Sequence, residues 1–598
     1  MKLIKTIISS FSVNKKRSLV LSLLIIENFF LAFAEDIMIS SQNQFDKISK
    51  AIQDVLNGGQ KDIRVTIEQG VYYFNEGHLR FNNLSCPDVS ISIVGQNVVL
   101  IAGGNDYGDG MLYKGVFNPK STFVDTRTLE PYDYWSECVY ADGLVEVVDE
   151  ASRLCSLPFA EAIDKTEEEC EHLYVIIPQW FKSYTYKVVK IVDGNIYFTA
   201  DKLDYIHRGK REGYSVNYDY LYAGTERVRF VLCDPSATSA PMQITDNGVS
   251  CGDRQIHECR SCQFLSMSKV SLKNFSLSGI RFIGNSDTNK HLININRTET
   301  EGLTIADCRF EYIQSRILIA NATPNLTFTN CTVSHCNSHG VESTNSCENT
   351  VVTDNTFEAC GSNMQQTFCV NCKGKNYYVA RNHFTNFGYG AIGLGVWHGH
   401  EKNYESSGIV EHNVIGYDSG YLADKEHHTL MDSGAIYLWT QNDNAIVQYN
   451  YIHDYSGMAY NHGIYCDDGA SHFKLLGNII VNTAPDNSID ARSCQSQFPE
   501  SNQDIQMMYN IVDRPIKFEG NTKTDNGCVK SSNVMLYKMW EGVPSNIYKH
   551  LETKDQDLQL TYEGWNDEGI IVNGRTWDVL RRLPCFEQIR HYVKRYSQ

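Results

Sequence analysis

The chain has 598 residues, of which 42% are hydrophobic and 21% are charged, and this composition indicates a folded protein and excludes a disordered one. Its net charge of −18 argues against a nucleic-acid partner and against an anionic membrane surface, since both attract basic patches. The same sign disfavours a polyanionic polysaccharide, although a local basic cleft would override it.

The first 34 residues have the pattern of an export signal. A basic start precedes the apolar run from Ser18 to Ile26, and Ala32-Phe-Ala34 offers a cleavage site with small residues. Glu27 interrupts the apolar run, which is therefore too short to span a bilayer. We predict that residues 1–34 are a cleaved signal peptide, that the mature protein is secreted or periplasmic, and that it has no membrane partner.

The next two segments precede the repetitive part of the chain. In residues 35–103 apolar side chains recur at helical spacing from Phe45 to Leu56, and strand-like segments follow. A short helix there would cap the open end of a β-solenoid. Residues 104–225 break the pattern with Tyr-rich and acidic stretches, and we interpret them as an inserted β-rich subdomain.

From about residue 265 a short motif repeats, in which a strand, a bend residue and a second strand follow one another. This is the pattern of a parallel β-helix coil, and stacked asparagines at the bend would satisfy one another's amides. We therefore predict an all-β fold, a right-handed parallel β-helix over residues 226–520, followed by a C-terminal cap over 521–598. The bend position is held by Ile280, Cys308, Cys331, Asn355, Asn382, Asn413, Asn450, Asn478 and Asn510.

The chain has 19 cysteines, a high number for which several interpretations exist. Cys259 with Cys262, and Cys369 with Cys372, have spacings that disulfides or metal ligands use. Because Cys308 and Cys331 occupy the bend position, we expect them inside the solenoid as small hydrophobic residues. The two pairs do not make a convincing zinc motif together, and we predict no metal site.

A second group of strands aligns on Ile392, Ile436, Ile464 and Ile489. If these isoleucines point inward, their neighbours point outward, and coils that stack at ~4.8 Å place those neighbours in columns. Aromatic faces and carboxylates in such columns suit a sugar ligand. One predicted column is Gly393, Tyr437, Tyr465 and Asp490, and the next is Gly395, Trp439, Asp467 and Arg492.

Four aspartates are the catalytic candidates. The coil spacing would bring the carboxyls of Asp467 and Asp490 within ~5 to 9 Å, a range that glycosidases use. Asp432 and Asp468 compete with them, although each also fits a turn. The substrate-binding candidates are Tyr437, Trp439, Tyr465, Arg492, His453, His462 and the loop residues Trp397 and His398.

Three segments carry a resemblance to a known group: 432–437, 449–454 and 462–471. They resemble right-handed parallel β-helix carbohydrate-active proteins of the pectate-lyase-like superfamily, and more specifically bacterial β-helical glycoside hydrolases. The resemblance implies a carbohydrate substrate, and it implies that Asp432 and either Asp467 or Asp468 are catalytic.

The first hypothesis is an exported, monomeric glycoside hydrolase with paired aspartates and no cofactor. The second is a polysaccharide lyase, which would need Ca²⁺ or a cation such as Arg492 or Lys517 beside a uronic acid. The third is a non-catalytic glycan-binding solenoid.

Overall fold

The computed structural model describes residues 35–102, 138–200, 220–285, 291–395, 406–418, 432–493, 504–535 and 562–576, with short gaps inside these ranges. The predicted signal peptide lies outside the described residues. Among the residues that are described, none of the helices has the length and apolar character that a membrane span requires.

Within the described ranges, thirty-two strands form one continuous parallel array that coils along an axis, as the fold prediction requires. Each coil contributes one short strand to each of three faces, which we call the first, second and third sheets. The protein is therefore a right-handed parallel β-helix, and the predicted fold class is confirmed. Beyond the N-terminal coils, the first sheet contains Leu326–Thr329, Val351–Thr353, Tyr377–Ala380, Gly408–Glu411, Ile446–Gln448, Lys474–Leu476, Gln506–Met508 and Val529–Ser531.

The second sheet follows the bend, and the third follows the second. The second sheet contains Arg309–Ile313, Thr332–Cys336, Thr356–Cys360, His383–Thr385, Val414–Gly416, Tyr451–His453, Ile479–Val481, Ile511–Val512 and Val534–Met535. The third sheet contains Leu318–Asn321, Val341–Ser343, Phe368–Cys372, Gly390–Leu394, Ser433–Leu438, Asn461–Cys466, Asn487–Ser493 and Ile516–Gly520. The last strands of the first two sheets pair with the coil before them, so the coils continue past the predicted boundary at 520.

Two helices, Gln42–Phe45 and Ile48–Asn57, cap the N-terminal coil. Phe45, Ile48 and Ile52 are fully buried, as their helical spacing predicts. The strands of the N-terminal coils are Glu35–Ile39, Asp62–Ile67, Gly70–Phe74, Leu79–Asn82, Ser85–Ala102, Leu265–Asn285 and Ile293–Ala306.

The chain leaves the β-helix after Ala102 and rejoins it at Leu265, where the strand pairs in parallel with Leu79–Asn82 and Ser85–Ala102. The segment between them is the inserted subdomain, and it extends beyond the predicted end at 225. Its seven-stranded sheet contains Cys138–Ala141, Glu146–Asp149, Leu154–Pro158, Leu173–Gln179, Lys182–Val192, Asn195–Thr199 and Tyr220–Gly224. Two hairpins follow, Val231–Leu232 with His257–Glu258 and Met242–Thr245 with Gly248–Cys251, and a separate sheet near the C-terminus contains Tyr562–Asn566, Gly569–Val572 and Arg575–Thr576.

The predicted asparagine ladder is present at the bend between the first and second sheets. Each ladder side chain donates Nδ2 to the Oδ1 of the next asparagine at 2.9 to 3.0 Å, and to a backbone carbonyl of the previous coil. The ladder runs from Asn355 to Asn533, one coil further than predicted. These buried amides are therefore fully paired, and their role is structural.

The cysteine predictions have different outcomes. Cys308 and Cys331 are buried in the coil interior, as expected, and the backbone N–H of Cys331 donates to Asn355. Cys369 and Cys372 are buried free thiols, so no disulfide joins them. Cys259 lies outside the described residues.

Candidate active site

The outward columns predicted on the third sheet are in register. Gly393 pairs with Tyr437, Tyr437 with Tyr465, and Tyr465 with Asp490. The isoleucines on which the strands were aligned are fully buried in the interior, as expected. The complete column contains Glu342, Asn371, Gly393, Tyr437, Tyr465, Asp490 and Lys517.

These side chains are more buried than an open groove wall would allow, and in this respect the prediction is wrong. Tyr437 and Tyr465 are each 2% exposed and Trp439 is 7% exposed. The reason is that the rings pack on one another, with Tyr437 at 5.0 Å from Tyr465 and 4.7 Å from Trp439 between centroids. Phe368 adds to this cluster, and a Cβ at Gly393 would meet its ring at 2.7 Å, so a glycine is required there.

Two aspartates are held by two neighbouring tyrosines. The Tyr437 hydroxyl donates to Asp467 Oδ2 at 2.5 Å, and the Tyr465 hydroxyl donates to Asp432 Oδ1 at 3.0 Å. Burial, with the charges of Asp467, Tyr389, Asp432 and Tyr465, raises the pKa of Tyr437 well above its usual value, so this phenol remains a donor. Both aspartates are half-buried, and both act on the same phenol.

The backbone of Asp432 is fixed from behind. Its φ is +60°, a left-handed conformation that aspartate tolerates better than most residues do. Its carbonyl accepts a hydrogen bond of 2.6 Å from the Tyr389 hydroxyl. The Oγ of the next residue, Ser433, lies 2.5 Å from the Tyr455 hydroxyl and 2.6 Å from Asn461 Oδ1. Asp432 is therefore rigidly placed at the start of its strand.

Asp490 was predicted to pair with Asp467, and the structure shows a histidine beside its carboxylate. It is fully buried, and its Oδ2 lies 3.5 Å from Nε2 of His462, which is also fully buried. The His462 ring lies 4.7 Å from the Tyr465 ring. Asp490 and His462 therefore lie fully buried beside the Tyr465 ring.

Of the remaining candidates, one lies on another sheet, one is described only by its backbone, and three lie outside the described residues. His453 is on the second sheet, where its ring stacks on Tyr451 at 4.7 Å and Nδ1 lies 2.9 Å from Asp454 Oδ2. The backbone of Arg492 pairs with Glu519, and its side chain is not among the described atoms. Trp397, His398 and Asp468 lie outside the described residues.

Sequence reasoning missed two aromatic residues of the site, Phe368 and Tyr389. Their rings lie 5.4 Å apart, and each lies 5.9 Å from the Tyr437 ring. The two glycines of the following strand, Gly390 and Gly393, were the signal, because a strand without side chains leaves room for a ring from the coil before it. In the described part of the chain, no group of three or more His, Cys, Asp or Glu side chains is arranged to hold a metal ion.

No family model matches the sequence, and no curated protein does. Among solved structures, the chain is similar to a protein described as a glycoside hydrolase, with 10% identity over 84% of this chain and 96% of that chain and a TM-score of 0.40. It is also similar to XylC in complex with xylose, with 10% identity over 89% and 88% of the two chains and a TM-score of 0.35. A third is the A-module of the Azotobacter vinelandii mannuronan C-5 epimerase AlgE4, with 12% identity over 46% and 85% and a TM-score of 0.25. Similarities at this level carry no argument about activity, which the geometry of the third sheet has to supply.

Proposed function

We propose that the protein is a glycoside hydrolase in which Asp432 and Asp467 are the catalytic carboxylates. The observation that carries the proposal is the pair of tyrosine–aspartate hydrogen bonds from two phenols on successive coils, whose rings are in edge-to-face contact. Paired carboxylates are the groups with which most glycosidases cleave their bonds, and aromatic faces stack on sugar rings.

The two aspartates have different roles in this proposal. Asp467 accepts the shorter hydrogen bond, from the Tyr437 phenol, and this bond favours its ionised form. Asp432 gives its proton to the glycosidic oxygen as the bond to the anomeric carbon breaks. Water supplies the new hydroxyl group at that carbon, and Asp467 assists either by taking the proton of that water or by first forming the ester that the water cleaves.

The proposal extends to the setting of the reaction. Residues 1–34 have the composition of an export signal, so we place the enzyme outside the cytoplasm, acting as a monomer on a poly- or oligosaccharide. The N-terminal sequence of the mature protein recovered from the secreted fraction tests the export step.

The test of the activity is a panel of neutral and acidic polysaccharides, assayed for new reducing ends and for the ultraviolet absorbance of unsaturated products. Asp467→Asn and Asp432→Asn should each lower turnover by about 10³-fold or more. Asp504→Asn is the matched control, because this aspartate side chain is 51% exposed and lies away from the third sheet.

Two results would contradict the proposal. Unsaturated products that require Ca²⁺ would identify a lyase, whereas sugar binding without any turnover would identify a glycan-binding solenoid.

A further inference from the structure

A second group of charged side chains lies on the third sheet, on the N-terminal side of the tyrosine–aspartate pairs. Glu342 is only 4% exposed, and its two carboxylate oxygens face two cations. Arg316 Nε lies 2.7 Å from Oε2, and Lys373 Nζ lies 2.6 Å from Oε1. The side chains of Arg316 and Lys373 are 34% and 22% exposed, so the cations reach solvent while the carboxylate does not.

The group has an excess of positive charge at neutral pH. Burial alone would raise the pKa of Glu342, but the charges of His339, Lys373 and Arg316 outweigh it and lower this pKa to about 2. Burial lowers the pKa of His339 to about 4 and also lowers that of His291, so both imidazoles are neutral at pH 7. Two cations therefore face one carboxylate, on a chain whose net charge is −18.

Glu342 and Lys373 lie on the two columns that also contain Tyr437 and Trp439. Glu342 is in register with Asn371, Asn371 with Gly393, and Gly393 with Tyr437. Three coil steps of ~4.8 Å separate Glu342 from Tyr437 by roughly 14 Å. A short oligosaccharide would span this distance along the sheet.

The neighbouring column has the same order. The backbone N–H of Gly395 donates to the carbonyl of Cys372, and the backbone N–H of Trp439 donates to the carbonyl of Leu394. These two bonds place Lys373, Gly395 and Trp439 at the same position on successive strands. In both columns a glycine therefore separates the cationic side from the aromatic side. At one of these glycines, Gly393, the ring of Phe368 covers the sheet.

Two polar atoms on either side of these glycines have no hydrogen-bond partner among the described residues. They are Oδ1 of Asn371, which is 3% exposed, and Nε1 of Trp439. One is an acceptor and the other a donor, and leaving each of them unpaired costs free energy. Sugar hydroxyls are donors and acceptors, so a glycan along the columns would satisfy both.

We propose that Arg316 and Lys373 form a subsite for an anionic substituent, a carboxylate or a sulfate, on a glycan that is cleaved at Asp432 and Asp467. The inference rests on the proposed function, and it assigns the substrate class as an acidic glycan. A guanidinium binds such anions through paired N–H groups, and an ammonium adds a point charge.

The experiment measures binding without turnover, in the full-length Asp467→Asn protein. The probes are an oligosaccharide of galacturonic acid, a sulfated oligosaccharide and a neutral oligosaccharide of galactose, all of equal length, with affinities from calorimetry. Adding Arg316→Gln should weaken binding of one acidic probe about tenfold or more and leave the neutral probe unchanged. Comparison of the uronate and sulfate probes identifies the anion.

A matched control is available on the second sheet. Arg281 is also 34% exposed and also pairs with a buried glutamate, Glu311, at 2.5 Å. Arg281→Gln removes the same charge and should change no affinity. Lys373→Gln is the second test variant, in case Arg316→Gln does not fold.

The subsite is overturned if acidic and neutral probes bind equally, or if Arg281→Gln weakens binding as much as Arg316→Gln does. Its failure can be distinguished from failure of the proposed function. Cleavage of neutral glycans that depends on Asp467 would keep the hydrolase and remove the subsite. Binding of an acidic probe that depends on Arg316, with no cleavage by the wild-type protein, would keep the subsite and remove the hydrolase.

Discussion

Two columns of polar side chains run along this β-helix, and they differ in composition. At the bend between the first and second sheets, every position of the column from Asn355 to Asn533 is an asparagine. On the third sheet, the column from Glu342 to Lys517 has an acid, an amide, a glycine, two tyrosines, a second acid and a lysine. Both columns are largely buried, so exposure does not separate them.

The difference lies in how hydrogen bonds are satisfied. An asparagine that stacks on an asparagine is both donor and acceptor for its neighbour, so the bend column is complete within the chain. On the third sheet, successive residues differ in type, and the two tyrosine hydroxyls donate to Asp432 and Asp467. Among the described residues, Oδ1 of Asn371 has no hydrogen-bond partner. Uniform stacking therefore stabilises the coil, whereas the mixed column leaves a polar atom for the glycan that we propose as the substrate.

The largest expected effect is on the uniform column. Asn413→Ala removes the donor to Val379 O and Asn450 Oδ1, and the acceptor of two bonds from Asn382. Leaving these buried groups unpaired should lower the free energy of unfolding by about 4 kcal/mol or more. Chemical denaturation followed by circular dichroism measures the change.

The end of the ladder provides the control. Asn533 accepts two bonds from Asn510 and donates to Met507 O, but no described asparagine follows it. Asn533→Ala should therefore cost less than Asn413→Ala. Equal costs, or a cost below about 1 kcal/mol at Asn413, would show that the ladder is not a main source of stability.

A smaller effect, on catalysis and not on folding, is expected from the mixed column. Tyr437→Phe removes the hydrogen bond to Asp467 but keeps the ring that packs against Tyr465 and Trp439. Because the ionised carboxylate loses a donor, turnover should fall about 10- to 100-fold and the acidic limb of the pH–rate profile should move to higher pH.

Tyr378→Phe is the matched control for that measurement. The Tyr378 hydroxyl also donates to a carboxylate, Glu411 Oε1 at 2.8 Å, but it does so on the first sheet. This variant should leave the pH–rate profile in place. If the two substitutions had the same effect, or if Tyr437→Phe moved only the stability, the phenol would not be tuning a catalytic group.

The fold could be predicted because its causes repeat in the sequence. A bend that recurs every 23 to 37 residues, followed by a buried aliphatic residue in the third-sheet strand, is a local pattern that repeats from coil to coil. Alignment on Ile392, Ile436, Ile464 and Ile489 therefore gave the correct register of the third sheet. The positions of Tyr437, Tyr465 and Asp490 in one column follow from it.

Burial and partner choice could not be predicted, because they depend on contacts between distant residues. The Phe368 ring lies over Gly393 of the following coil. Arg316 and Lys373 precede and follow Glu342 by more than 20 residues in the sequence, and both form ion pairs with it. No periodic pattern in the sequence indicates these contacts. The strands after the insertion likewise rejoin Leu79–Asn82 only through tertiary pairing, which explains why the boundary at 225 was placed too early.

The smallest expected effect concerns the residue before each ladder asparagine from Asn355 to Asn510, which has a left-handed backbone. Gly477 and Tyr509 precede ladder residues in successive coils, and both have φ of +61°. Tyr509 is 54% exposed, so its ring loses little on removal. Tyr509→Gly should raise the free energy of unfolding by up to about 1 kcal/mol, because glycine adopts this conformation without strain. The reverse change, Gly477→Ala, should lower it by about 1 kcal/mol. Denaturation midpoints of the two variants test this expectation. If both substitutions destabilise the protein, the exposed ring of Tyr509 stabilises the coil by more than its left-handed backbone costs. The stability of the bend column then depends on side chains other than its asparagines.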